Sequence, residues 1–404
     1  MAPYETDDST DTGEREELRA GRRRAARYIV PVTVVGVAAA TIGLVPALAN
    51  SGDPNLPKIT AQQLIDKVAK SDVQQLSGTV KISTDLGLPD LGGLESSVMS
   101  GATKSGDGSS ADPTSKLTEL ATGTHTLRVA ADGPDKQKVS LLENAAEYSL
   151  IHNGKDVWGY DSKSNEVYHG TTAADASKSD ESKATPKGLT DEALKSVDST
   201  TSVTVDGTEH VAGRDAYKLL IKPKQSGTTV GAISVAVDAK TGLPLKFTLT
   251  PASGGAAVVD VGFTQLSLSA PAASTFDFKT PKGAKVTTED SAKKAAPAPD
   301  HSAKSGKSGK DLGKGSDDPT VLGKGWNSIA VFETGGQGIP SGAKSGGGDL
   351  GGFLSSLGDQ VKGDFGSGTV FSTRLVNALV TDNGKVYVGA VTKSALVKAA
   401  DAAK

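Results

Sequence analysis

The 404-residue chain contains no cysteine. Without cysteine it can form no disulfide bond and no thiolate metal site, and it can carry out no thiol chemistry. A lipid-modified N-terminal cysteine is excluded for the same reason. Any attachment to a membrane must therefore come from the polypeptide itself.

Histidine is scarce, and its spacing suits no metal. No two histidines are four residues apart or otherwise spaced as a ligand pair. The five are His125, His152, His169, His210 and His301. We predict no metal and no other cofactor.

The motifs of common catalytic sites are missing as well. A phosphate-binding loop needs a glycine five residues before its Gly-Lys pair, but ahead of Gly306-Lys307-Ser308 that position is His301. The sequence has no Gly-x-Ser-x-Gly, and glycines 346–348 follow no strand pattern. We therefore predict that the protein is not an enzyme and has no catalytic residues.

An excess of positive charge is also lacking, since the net charge is -3. Binding to a nucleic-acid backbone needs concentrated positive charge. The chain has such a concentration only before residue 28, in the cluster Arg22, Arg23, Arg24 and Arg27. We predict no nucleic-acid partner.

One long uncharged run is present, at residues 28–49. Twenty-two residues as a helix are enough to cross ~30 Å of hydrocarbon, and the arginines before the run hold residues 1–27 in the cytoplasm. The run is either a transmembrane anchor or a signal peptide, because Ala47-Leu48-Ala49 fits a cleavage site. The rest of the chain is then outside the cytoplasm, tethered to the cell membrane or secreted after cleavage at Ala49.

Residues 213–278 show the pattern of consecutive antiparallel strands. Tyr217, Leu219 and Ile221 fall on one face of the first strand. Alternating runs at 233–237 and 245–249 flank a turn at 238–242, which predicts a hairpin. Three further apolar residues, Val259, Val261 and Phe263, continue the pattern. The segment 276–278 is predicted to form the last strand.

The first half of the chain has similar signals. Thr60 and Gln63 predict a capping box at the start of a helix, a strand follows at 76–84, and Thr190 is predicted to cap a second helix at 191–197. A meander of strands runs through 124–169. With about ten strands and two main helices, the predicted fold is α+β: a large curved antiparallel sheet with helices over one face.

At these residues the sequence resembles a family. The segments Gly-Arg-Asp-Ala-Tyr-Lys-Leu, Val-Asp-Ala-Lys-Thr-Gly-Leu-Pro-Leu-Lys and Phe-Asp-Phe, which lie within 213–278, resemble the second half of LolA-like proteins. These are lipoprotein carriers and their relatives, including RseB/MucB-type regulators of envelope-stress sigma factors. The resemblance covers about 59–286. It implies a half-open barrel outside the cytoplasm that holds acyl chains in an apolar groove.

Two sets of residues are candidates for such a groove. The insertion 86–111 has apolar residues among Gly, Ser and Asp, so it is either a loop or a lid over a groove. Aromatic residues on the strands either fill the core or line the groove. The candidate groove residues are Leu88, Leu91, Leu94, Met99, Trp158, Tyr160, Tyr217, Phe247 and Phe263.

The composition divides the part after the apolar run into three. We predict a LolA-like domain at 58–290, a linker at 291–318 that is rich in Lys, Ser, Gly, Ala and Pro, and a small α+β domain at 319–404. The last contains a hairpin within 375–391 and a helix that starts at Thr392. RseB/MucB-type proteins resemble this layout.

Three functional hypotheses follow. The first is a carrier or chaperone that binds the acyl chains of a lipid or lipoprotein. The second is an RseB/MucB-like sensor that binds a membrane partner, such as an anti-sigma factor; a transporter is the corresponding partner for a carrier. The third is a structural cell-envelope protein without a ligand.

The topology generates the first testable prediction. A reporter enzyme that is active only after export, fused after Lys404, is expected to be active, because the arginines precede the apolar run and nothing later in the sequence could span a membrane again. Activity assays in whole cells test this. Activity of a cytoplasm-only reporter at the same position would contradict it.

Overall fold

The computed structural model describes residues 53–87, 111–113, 116, 120, 122–171, 185–288, 320–333 and 358–403. They belong to one compact unit, Asp53–Lys404, which contains two β-sheets. No helix among them is long and apolar enough to cross a membrane. The predicted membrane segment 28–49 and linker 291–318 lie outside the described residues, and so do insertion residues 88–110.

Three α-helices are described over their whole length: α1 (Ala61–Ala69), α2 (Pro186–Lys195) and α3 (Lys393–Ala402). The first sheet contains β1 (Gln75–Thr84), β2 (Gly123–Asp132), β3 (Lys136–Glu143), β4 (Ala146–Asn153), β5 (Asp156–Asp161), β6 (Glu166–Thr171), β7 (Thr201–Val211), β8 (Arg214–Pro223), β9 (Val230–Asp238), β10 (Pro244–Pro251), β11 (Val259–Ser267) and β12 (Lys285–Thr288). The second contains β13 (Thr320–Leu322), β14 (Ile329–Glu333), β15 (Asp359–Gly363), β16 (Gly366–Ser372), β17 (Asn377–Thr381) and β18 (Lys385–Gly389).

The first sheet consists of two meanders joined by β1. Its strand order is β12-β6-β5-β4-β3-β2-β1-β11-β10-β9-β8-β7, so β1 pairs with β2 on one edge and with β11 on the other. Every pairing is antiparallel except that of β12 with β6. The prediction of a large antiparallel sheet is confirmed.

The sheet is strongly curved in its second half. Neighbouring strands lie ~4.8 Å apart, so β7 and β11, four positions apart in the order, would be ~19 Å apart in a flat sheet. Cα atoms of these two strands instead approach within 8 Å. Irregular pairing in β7 and β10 accompanies this bend, as bulges do in closed sheets. The half-open barrel implied by the resemblance is therefore present.

One face of the first sheet carries most of the apolar side chains. Directly paired residues of antiparallel strands point to the same face. One such row is Tyr148, Leu141, Leu127, Val80 and Phe263. A second row is Val261, Phe247, Val235, Leu219 and Val205.

The two rows lie on the same face because Val261 and Phe263 are two residues apart on β11. Helices α1 and α2 cover the second row, where Leu64, Val68 and Ala193 pack into the core. We call this side the helix-bearing face and the other side the opposite face.

The helix starts follow from their caps. Thr60 and Gln63 form the predicted capping box, with Oγ1 of Thr60 accepting the Gln63 N–H at 3.2 Å and Oε1 of Gln63 accepting the Thr60 N–H at 2.9 Å. The predicted start of α2 at Thr190 is wrong. Thr185 is the cap, since its hydroxyl accepts the Gly188 N–H and Pro186 supplies the fixed φ of a first helical residue.

The predicted last strand at 276–278 is also wrong. Phe276 ends a 3₁₀ helix, Ala273–Phe276, and is fully buried, so its apolar side chain packs without joining the sheet. The edge strand is instead β12, which lies further along the chain and pairs with β6 in parallel.

The second sheet has the strand order β13-β14-β18-β17-β16-β15. The predicted hairpin is present as β17 and β18, and Thr392 caps α3 by accepting the Ala395 N–H. Leu396 and Ala400 of α3 pack with Leu379 and Tyr387 of the sheet. The small C-terminal α+β fold is confirmed.

The turn between β9 and β10 is organised by a buried carboxylate. Oδ1 of Asp238 accepts the N–H groups of Lys240 at 3.1 Å and Thr241 at 2.6 Å, and Arg214 donates to both carboxylate oxygens. Burial raises the pKa of Asp238, but the hydrogen bonds from Arg214 and Thr241 lower it by more, so the pKa lies below its usual value. The stability that the ionised group supplies is present above the unfolded-state pKa, and it is lost as the pH falls through the folded-state value.

The packing of the helix-bearing face generates the second prediction. Phe247 is 5% exposed, and Phe247→Ala is expected to lower the free energy of unfolding by about 3–5 kcal/mol, because a buried aromatic ring is replaced by a cavity. The matched control is Phe332→Ala at a side chain that is 42% exposed, where the loss is expected to be below about 1 kcal/mol. Urea unfolding measures both, and equal losses would show that Phe247 does not carry core packing.

Candidate functional site

The structure divides the predicted groove residues between two faces. Tyr217, Phe247 and Phe263 are buried on the helix-bearing face. Tyr148 of that face pairs with Asp161, so Asp161 lies on the same face. Side chains alternate along β5, which puts Trp158 and Tyr160 on the opposite face. The other predicted groove residues, Leu88, Leu91, Leu94 and Met99, lie outside the described residues.

The three residues of the helix-bearing face take part in its packing. Phe263 belongs to an apolar cluster that extends from β1–β4 to β7–β11, and Phe247 and Tyr217 belong to the cluster beneath α1 and α2. The Tyr217 hydroxyl also donates to the Pro57 carbonyl oxygen at 2.8 Å. This bond fixes the chain where it enters α1.

Trp158 and Tyr160 belong to an aromatic group on the opposite face. The Trp158 ring stacks on His169 with 3.8 Å between centroids and on Phe278 with 5.2 Å, and Tyr160 lies 6.1 Å from Phe278. His169 Nε2 is 2.8 Å from an Asp156 carboxylate oxygen. The segment that was predicted as a last strand therefore packs on this face, and Phe278 joins the two predicted aromatics.

The apolar row over β1–β4 is also contacted by residues of the segment that precedes β2. Ala111 is fully buried and its carbonyl oxygen accepts the Tyr148 hydroxyl at 3.2 Å. Leu120 packs against the row, and its carbonyl accepts the Thr84 hydroxyl at 3.4 Å. Any side chain at Gly159 would meet the Ala111 carbonyl oxygen at 2.5 Å, so glycine permits this close approach.

Lys116 fastens the same segment through charge. Its ammonium lies 2.6 Å from a Glu143 carboxylate oxygen and 3.9 Å from an Asp161 oxygen, and it sits 5.7 Å from the centre of the Tyr148 ring. The Lys116 and Glu143 side chains are both more than four-fifths buried. We call the contacts made by Ala111, Lys116 and Leu120 the Lys116 cover. Nothing in the sequence pattern marks Lys116, because its partners lie 27 and 45 positions away.

The two sheets are joined by backbone hydrogen bonds. Thr228 forms an antiparallel bridge with Val391. The Thr229 N–H donates to the Ala390 carbonyl at 2.9 Å, and the Thr392 N–H donates to the Gly227 carbonyl at 2.8 Å. The segment before β9 is therefore bonded to the segment before α3.

Two residues in loops of the second sheet, Trp326 and Arg374, make further contacts across this junction. Trp326 Nε1–H donates to the Thr201 hydroxyl at 2.9 Å, and its backbone N–H donates to the Gln225 side chain at 2.9 Å. Arg374 pairs with the Asp85 carboxylate and donates to the Ala256 carbonyl. The sequence patterns gave no signal for either contact of Arg374.

No group of three His, Cys, Asp or Glu side chains that could hold a metal ion occurs in the part of the chain that the structure describes. The candidate functional region is built by packing and hydrogen bonding. It comprises the helix-bearing face with the Lys116 cover and the junction of the two sheets.

Comparisons with known proteins gave solved structures only. No family model and no curated protein matches the chain. The complex of MucA and MucB from Pseudomonas aeruginosa has 16% identity and a TM-score of 0.37, covering 84% of this chain and 96% of that one. A LolA superfamily protein from Nitrosomonas europaea has 12% identity and a TM-score of 0.22, covering 55% and 99%.

An uncharacterized conserved protein from Thermus thermophilus is similar over 56% of this chain and 98% of its own, with 14% identity and a TM-score of 0.31. These TM-scores are low, so the comparisons assign no ligand or partner. The described strands themselves form a large curved sheet with helices on one face.

The junction generates the third prediction. Trp326→Phe removes the hydrogen bond to Thr201 and keeps an aromatic ring, which costs about 1 kcal/mol. Amide exchange at Thr229 and Thr392, which hold the junction, is expected to speed up about five-fold, while exchange in the middle of β9 stays unchanged. Hydrogen-exchange mass spectrometry measures both.

The matched control is Trp158→Phe, which lies in the aromatic group of the opposite face. It is expected to leave exchange at the junction unchanged. Equal acceleration in both variants, or none in Trp326→Phe, would contradict the role given to Trp326.

Proposed function

We propose that the protein binds acyl chains of a lipid or lipoprotein on its helix-bearing face, outside the cytoplasm, as a carrier or chaperone. The observation that supports this most is the difference between the two halves of that face. Leu64 and Val68 of α1, with Ala193 of α2, cover one half by apolar packing. The Lys116 cover holds the other half through an ion pair, hydrogen bonds to backbone carbonyls and the apolar contact of Leu120.

A cover held by polar groups suits reversible opening. Burial of the Lys116–Glu143 pair costs desolvation of both charges, and water solvates them again once the pair opens, so the net stability that the pair contributes is small. The apolar row beneath then becomes available, with Leu127, Leu141 and Val80 at its centre. An acyl chain on this row is stabilised by about 0.8 kcal/mol per buried methylene, and its binding needs no catalytic group.

A second candidate function is regulation through a membrane partner. The junction favours it, because Thr228 and Val391 tie the two sheets into one unit that offers a partner a composite surface. A structural envelope protein without a ligand is the third. Mass spectrometry of lipids retained through purification separates the first function from the third, and co-purification of a membrane protein separates the second from the first.

The Lys116 cover generates the fourth prediction. Lys116→Met keeps the length of the side chain and removes its charge. The association and dissociation rates of a fluorescent fatty acid are both expected to rise about three-fold or more, because the binding-competent open state becomes more populated. Stopped-flow fluorescence measures both rates.

The matched control is Lys163→Met at an exposed lysine of the turn between β5 and β6. Its association and dissociation rates for the fatty acid are expected to equal those of the wild-type protein. If Lys116→Met has unchanged rates, or if the unchanged protein does not bind the fatty acid, the proposed function fails.

A further inference from the structure

Four lysines surround a depression of about 640 Å³ beside the end of α1. They come from three separate segments: the chain before α1, α1 itself with its cap, and the turn between β9 and β10. The four are Lys58, Lys67, Lys70 and Lys240. We call this surface the lysine depression.

The fold holds Lys240 beside α1. The Asp238 carboxylate fixes the turn through the N–H groups of Lys240 and Thr241. Gly242 of the same turn packs against the backbone carbonyl of Lys67, where any larger residue would collide with it. Lys240 and Lys67 therefore meet because the turn and the helix are in contact.

The positive charge of the depression is not neutralised from within. None of the four lysines forms an ion pair with any side chain in the described ranges. Asp66 is the single carboxylate among the residues that line the depression, and one of its oxygens accepts a hydrogen bond from Gln62. In a chain whose net charge is -3, four lysines at one place form a distinct positive surface.

The lysine depression also follows closely on the apolar run. Lys58 comes nine residues after Ala49, and nine residues extend over at most ~30 Å. Where residues 28–49 are embedded in a bilayer, the chain keeps Lys58 near its surface. A bilayer with anionic phospholipids carries a negative surface potential that attracts clustered lysines.

We propose that the lysine depression docks on the anionic phospholipid headgroups of the membrane. Docking sets the orientation of the folded unit and acts together with residues 28–49. It is separate from the proposed entry of acyl chains, because no residue of the Lys116 cover lines the depression.

The test uses the full-length protein in nanodiscs, either of phosphatidylcholine alone or with about one-third phosphatidylglycerol. Reductive methylation followed by mass spectrometry measures the accessibility of each lysine. The four lysines of the depression are expected to react at least about three-fold more slowly in the anionic discs, and to lose this protection at ~0.5 M salt, where charges are screened over a few ångströms.

A triple variant and a matched control complete the design. Lys67→Gln, Lys70→Gln and Lys240→Gln together are expected to abolish the protection of Lys58 without changing the melting temperature. The control variant carries Gln at three exposed lysines that do not line the depression, Lys222, Lys279 and Lys282. We expect Lys58 to keep its protection in this variant.

Three outcomes would overturn the proposal. Equal protection in discs without phosphatidylglycerol would mean that anionic headgroups are not the ligand. Protection by inorganic phosphate in the absence of discs would identify a site for free phosphate. Loss of protection in the control triple variant would show a general effect of net charge. If the melting temperature falls only in the first triple variant, that variant is set aside. The accessibility of the wild-type lysines in the two kinds of disc then decides the test.

Discussion

Strand β1 is hydrogen-bonded along both of its edges, and the first sheet depends on that pairing. The meanders on its two sides are separated along the chain and are joined in the sheet through β1. Because Val80 lies between Leu127 and Phe263 in the pairing, the apolar rows of both meanders fall on one face. A single apolar face across so many strands must be kept from water over its whole width.

The chain covers this face in two physically different ways. Over β8–β10, the helices place Leu64 and Val68 among apolar side chains. Over β1–β4, the described contacts include the apolar packing of Leu120, the ion pair of Lys116 with Glu143 and the hydrogen bond of Tyr148 to a backbone carbonyl. Apolar packing is lost only when the helix leaves as a whole, whereas such polar contacts exchange readily with water. We therefore expect a ligand to enter beneath the Lys116 cover.

Sequence patterns predicted what depends on nearby residues. The capping box of Thr60 and Gln63, the alternation of strands and the turn that begins at Asp238 are all local, and all are present. The strand at 276–278 was wrong because its alternating apolar residues pack on a face without joining the sheet. Trp158 lies in the predicted meander, but the face that its side chain occupies depends on how β5 pairs with β4. Pairings of this kind, like the ion pairs of Lys116, join residues that no local pattern connects.

The junction relates the two candidate functions to each other. Arg374, next to the second sheet, binds Asp85 and the Leu86 carbonyl directly after β1. The strand that centres the first sheet is therefore in contact with the other sheet at its end, and Thr84 at that same end bonds Leu120 of the Lys116 cover. Contacts thus run without a break from the second sheet through the end of β1 to the cover. A contiguous set of contacts of this kind is one route by which coupling between two sites is carried. A partner bound to the second sheet and an acyl chain bound beneath the cover would act on the same end of β1, so the two functions are compatible in one molecule.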